Sequence, residues 1–245
     1  ILAANDAKVS VDISHFEKNG MPHIAGKTNV QLQVNDSHFN GGKSIYLLDH
    51  SAITLQNSHF EKGEGVKIEV ADHTKADIKR CKITEGTGNA VKASRDSTVH
   101  IYDSQISKHK LPQIVINDSS LIFKNSELLE GGRNGFIIEN NSEAFIQDSF
   151  ISQHLFPQLW INLESTVELS ATQLKGGAES DIYVQNKSIV HATNCIIHND
   201  RFNFNVQAVN HSKIDLFQTS VENTFGEKFY SENNSFITQI VDELN

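Results

Sequence analysis

His15, His38 and His59 stand in three copies of one triplet, Ser-His-Phe, at steps of 23 and 21 residues. Glu17 and Glu61 each follow a histidine of this set by two positions. Imidazoles and carboxylates gathered in this way are ligands for Zn²⁺ or Ni²⁺. Copying of a repeat together with its solvent-facing side chains yields the same pattern, and the match of Ser-His-Phe-Glu-Lys at 14–18 and 58–62 fits copying. Acid–base chemistry needs two carboxylates held close together. Asp49 and Asp72 occupy equivalent places in successive repeats, but Arg95 takes the next one. Asp77, Glu168 and Asp215 share a position and are separated by other residue types. Gly63/Gly65 and Gly86/Gly88 lack the strand–loop–helix setting of a phosphate loop and read as loop glycines.

These residues are positioned by a repeat that runs almost end to end. Ser14, Ser37, Ser58, Cys81, Ser104, Ser126, Ser149, Thr172, Cys195 and Thr219 recur at steps of 21 to 24 residues. Two positions after each stands an apolar residue: Phe16, Phe39, Phe60, Ile83, Ile106, Leu128, Ile151, Leu174, Ile197 or Val221. A second anchor lies about seven residues earlier: Thr28, Ser51, Thr74, Ser97, Ser120, Ser142, Ser165, Ser188, Ser212 and Ser235. Asn or Asp often precedes it, which is turn chemistry. Between the anchors, apolar residues alternate with polar ones, as in Ile53/Leu55 and Val99/Ile101; a similar pair precedes the second anchor, as in Ile45/Leu47 and Ile114/Ile116. Alternation of this kind marks half-buried strands. Each repeat therefore makes about three short strands and buries little by itself, so successive repeats must stack.

The predicted fold is all-β: a single-stranded right-handed parallel β-helix of about ten coils of roughly 23 residues, spanning residues 1–245 as one domain with repeats from about 7 to 240. The pattern resembles the pectate-lyase-like superfamily of right-handed parallel β-helices, with repeats of the carbohydrate-binding and sugar-hydrolase type. The resemblance implies the fold strongly and the function weakly, since the superfamily contains lyases, hydrolases, epimerases, tailspikes, adhesins and interaction modules. Lyases of this fold hold Ca²⁺ between acids of neighbouring coils beside a basic residue. No lyase, hydrolase or epimerase signature is legible here, so the reading leans away from an enzyme and no cofactor is expected, with Ca²⁺ or Zn²⁺ the ions to consider.

A net charge of −9 excludes the basic footprint that nucleic acids require. No apolar run is long enough for a membrane span, and no signal peptide begins the chain. Cys81 and Cys195 lie in one column five coils apart, about 24 Å at the usual strand spacing, too far for a disulfide. Together these favour a cytoplasmic setting. The missing initiator Met and a last strand, Phe236–Val241, without an evident cap suggest a piece of a longer protein.

One feature is not demanded by the fold. The outward position of the first strand carries Val115, Ile137, Trp160 and Tyr183 in four consecutive coils, where polar residues are expected. Phe145 is outward on another face of the same coils. Such a stripe, with Gln113, Asn117, Gln158, Asn162, Asp181 and Gln185 as polar neighbours, marks a recognition surface. The leading expectation is a non-enzymatic scaffold that binds another protein, or other domains of its parent chain, through this face. The alternative is a polysaccharide-binding or polysaccharide-processing module in which Trp160 and Tyr183 stack on sugars while Asn162 and Gln185 donate to hydroxyls.

Overall fold

The computed structural model describes residues 1–18 and 20–241. Every strand pairing is parallel, and each strand pairs with its counterpart one repeat away, as in Ile45–Leu48 on Ile68–Ala71 and Ala52–Gln56 on Lys75–Lys79. The first strands, such as Ile45–Leu48, and the second strands, such as Ala52–Gln56, stack as two faces, the first and second sheets, joined through Val91–Tyr102 and Ile114–Lys124 into one twenty-stranded sheet; the third strands form a separate ten-stranded sheet, the third, running from His15–Glu17 to Ser220–Asn223. Ten full coils result, followed by an additional first strand, Glu227–Ser231, and second strand, Phe236–Ile240. No helix among the described residues is long and apolar enough to cross a membrane.

The apolar columns fill one continuous interior, and from Leu32 to Val221 nearly every inward side chain is fully enclosed. Phe16, Phe39 and Phe60 stack in sequence order, with centroids 4.6 and 4.5 Å apart and rings within 7° of parallel. Burial of this kind contributes roughly 1.5–3 kcal/mol for each large side chain.

The hydroxyl anchors satisfy backbone groups that the corners would otherwise bury without partners. Ser104 Oγ donates to the Tyr102 carbonyl at 2.7 Å and accepts the Cys81 N–H at 3.0 Å, and the same relay recurs along the third-sheet edge. Cys81 and Cys195 substitute their thiols into that ladder, donating to Lys79 and Thr193, and both are free and buried.

In the second ladder two residues differ from those expected. Ser119, not Ser120, accepts the Ser97 N–H, and Val30, not Thr28, donates its N–H to Ser51. The cause lies in the corner. In most coils two consecutive residues there adopt the left-handed conformation, such as Asp72/His73, Arg95/Asp96 and Asn140/Asn141. The coil with Asp118 has only one, so its anchor arrives a residue early and the register shifts between Ser94 and Ser97. Thr28 is itself the first left-handed residue of its corner, and its hydroxyl donates to Asp49 Oδ2 at 2.8 Å.

Candidate functional site on the first sheet

The parallel register places Val115, Ile137, Trp160, Tyr183, Gln207 and Tyr230 directly above one another on the outward face of the first sheet. All six are half-buried, because each shields the next along the column. At its lower end the stripe meets an ion pair, Lys92 Nζ to Glu69 Oε1 at 3.5 Å. At its upper end the Tyr230 hydroxyl donates to Glu232 Oε2 at 2.6 Å. Burial, with Glu232 nearby, raises the Tyr183 phenol above its ordinary pKa, so it remains an O–H donor at neutral pH.

Beside the stripe runs a polar column. Asn117 Nδ2 donates to Glu139 Oε1 at 2.9 Å. Asn162 is buried, and its Oδ1 accepts both the Leu163 N–H at 2.9 Å and Asn186 Nδ2 at 2.8 Å. Asn210 and Asn233 extend this ladder, each donating to the asparagine one coil below. Asn162 therefore has a turn-holding role, whereas Gln185 is half-exposed. A shallow concavity follows at the corner, lined by Asn140, Leu163, Glu164, Asn186, Lys187 and His211 among others.

Phe145 is not part of this face. It stands on the second sheet between Ile122 and Glu168, 37% exposed, over a separate concavity that includes His100 and Glu143. The carboxylates of that column stay apart. Asp77 holds His100 Nδ1 at 2.8 Å and Asp215 holds His191 Nδ1 at 3.1 Å, several coils away.

Behind the stripe lies a buried polar layer, holding Gln113, Gln158 and Asp181, which the sequence reading places on the surface beside it. Gln113, Gln158 and Asp181 precede the first strands of their coils and are wholly enclosed at the corner between the third and first sheets. Gln158 Nε2 donates to Asp181 Oδ1 at 2.5 Å, and His154 Nδ1 lies 3.2 Å from Gln158 Oε1. Burial pushes the Asp181 carboxyl up to about 8 and the His154 and His109 imidazoles down to about 4. The signal was present in the sequence as an alternation over two coils: Gly86, His109, Gly131, His154 and Gly177 occupy one position. A methyl group on Gly86 would sit 2.5 Å from the His109 ring, and one on Gly131 2.5 Å from the His154 ring. The glycines make room for the imidazoles of the next coil.

Among solved structures, the catalytic domain of a GH87 alpha-1,3-glucanase in complex with nigerose matches 89% of this chain at 9% identity with a TM-score of 0.60. This chain spans half the length of that domain. The periplasmic alginate epimerase AlgG aligns over 98% of this chain and 76% of its own at 7% identity, with a TM-score of 0.43. These likenesses concern the fold. No curated protein sequence matches the chain. Residues 1–126 match the family model described as the right handed beta helix region, and with parallel coils continuing to the last described strand, the chain belongs to that family.

Proposed function

We propose that this β-helix is a carbohydrate-binding domain that lays a neutral polysaccharide along the first sheet, over Val115, Ile137, Trp160 and Tyr183. The observation that carries the reading is the shape of the stripe. It is one residue wide and four coils long, with an ion pair at one end and amides and a carboxylate beside it. A stable protein partner covers about 800 Å² of each surface, which such a narrow strip does not supply as an apolar core. An extended sugar chain fits better. Its C–H faces pack on aromatic rings, and its hydroxyls need the donors and acceptors that border them. The glucanase domain that shares this architecture was solved with nigerose, an observation in keeping with a sugar ligand. This reading places the polysaccharide alternative ahead of the protein scaffold expected from sequence. The charge of −9 disfavours polyanionic chains.

Trp160 is the single tryptophan, so its fluorescence reports directly on the stripe. Titration with neutral oligosaccharides, α-glucans included, is expected to shift and saturate that emission. Tyr183→Ala, read in the same way, and Trp160→Ala, read by calorimetry, should each weaken binding tenfold or more. A glycan array without ligands, together with a protein partner lost on Trp160→Ala, would overturn the proposal in favour of the scaffold.

A further inference from the structure

The histidine column stands on the third sheet, apart from the stripe on the first. His15, His38 and His59 pair in register along the third sheet. His38 and His59 stack with centroids 5.0 Å apart and rings 8° from parallel, while His15 meets His38 edge-on at 4.7 Å. Glu61 does not stay beside the histidine of its own strand. Its Oε1 reaches back one coil to His38 Nε2 at 3.1 Å, whereas Glu17 Oε1 holds His15 Nε2 of its own strand at 2.9 Å. One donor atom each from His38, His59 and Glu61 lies within 4.8 Å of the other two, the single such cluster found among the described residues. His59 Nε2 is enclosed and has no hydrogen-bond partner. An enclosed nitrogen without a partner beside a carboxylate is unfavourable unless something else satisfies it.

We infer that His38, His59 and Glu61 form a binding site for a divalent transition metal of the Zn²⁺ class, bridging the second and third coils and leaving a coordination position open. Two imidazoles and a carboxylate suit Zn²⁺, Ni²⁺ or Cu²⁺; Ca²⁺ and Mg²⁺ prefer all-oxygen shells. With metal–donor distances of about 2.0–2.2 Å, donors in a tetrahedral shell stand about 3.3–3.6 Å apart. The His38–Glu61 pair, at 3.1 Å, lies just inside that spacing, and with every pair of donors within 4.8 Å the cluster closes to it by a movement of at most about 1.5 Å. Glu61 is anchored from below: the fully buried Lys67 ammonium donates to its carbonyl at 3.4 Å and to the Gly42 carbonyl at 3.3 Å. Lys82 stands over His59 in the next coil and ends the imidazole column there.

The test is calorimetric titration of chelator-treated protein with Zn²⁺, Ni²⁺, Ca²⁺ and Mg²⁺, with Co²⁺ absorption as a readout of coordination. One equivalent of Zn²⁺ is expected. His38→Ala, His59→Ala and Glu61→Gln should each weaken it at least tenfold, with unchanged circular dichroism. His73→Ala removes a stacked histidine of the neighbouring corner, His50 over His73 at 4.8 Å, and should leave Zn²⁺ affinity intact. Binding of several weak equivalents that His73→Ala reduces equally would overturn the site, as would one-equivalent binding unaffected by Glu61→Gln and His59→Ala.

Discussion

Replacing Asp181 by asparagine should change how stability depends on pH. Asp181 is fully buried, and burial moves its carboxyl from 3.8 up to about 8. The native fold therefore retains a proton that the unfolded chain releases, so this contribution is fully present below pH 3.8 and is lost as pH rises towards 8. His109 and His154 act in the opposite direction. Burial lowers both from 6.5 to about 4, so the native fold excludes protons that the unfolded chain takes up, and stability rises with pH over that range. Above pH 6.5 the histidines add nothing further and Asp181 remains. Lys67, lowered to about 8, acts only beyond the window. The protein should thus be most stable near pH 6.5 and lose about 2 kcal/mol by pH 8, from 1.5 pH units at about 1.4 kcal/mol each. In the Asp181→Asn variant the side-chain amide oxygen can still accept from Gln158 without a charge to bury, so the variant should hold its stability across that interval. Urea denaturation followed by circular dichroism at pH 6.5 and 8 measures the difference. A flat wild-type profile, or an equal decline in the variant, would show that Asp181 is not the group that titrates.

Other consequences follow from the same packing. Gly131→Ala places a methyl group 2.5 Å from His154 Cδ2 and 3.0 Å from Gln113 Nε2, and should destabilise by about 1–3 kcal/mol in the same urea assay. Leu163 is 41% exposed and left-handed at φ 53°, so Leu163→Asn should stabilise by roughly 0.5–1 kcal/mol, seen as a higher melting temperature. The Cys81 thiol, pushed up to about 11 by burial, and the likewise raised Cys195 should resist a thiol-titrating reagent until denaturant is added; rapid native labelling of either would contradict their place in the hydroxyl ladder.

The architecture was legible because a β-helix writes its geometry linearly. Residues about 23 apart become vertical neighbours, so Phe16/Phe39/Phe60 and Val115/Ile137/Trp160/Tyr183 could be read as columns and are columns in space. Inward and outward faces followed from alternation for the same reason. What alternation does not encode is the corner. There a single left-handed residue in place of two moves the anchor from Ser120 to Ser119, a choice made by local backbone conformation and pairing with the coil below. Side-chain reach was equally hidden. Glu61 bonds the histidine of the preceding coil, and Asn162 is occupied by Leu163 and Asn186.

The enclosed corner layer shows most clearly where the division falls. Polar residues such as Gln158 and Asp181 read from sequence as surface, because polarity ordinarily predicts exposure. Their burial depends on how the loop before each first strand folds back over the sheet, which glycine permits at one coil and imidazole fills at the next. The order of residues along the chain was enough to say which side chains stack. Which of them water can reach emerged only from the folded coils, because burial is a property of neighbours in space and not of positions in the chain.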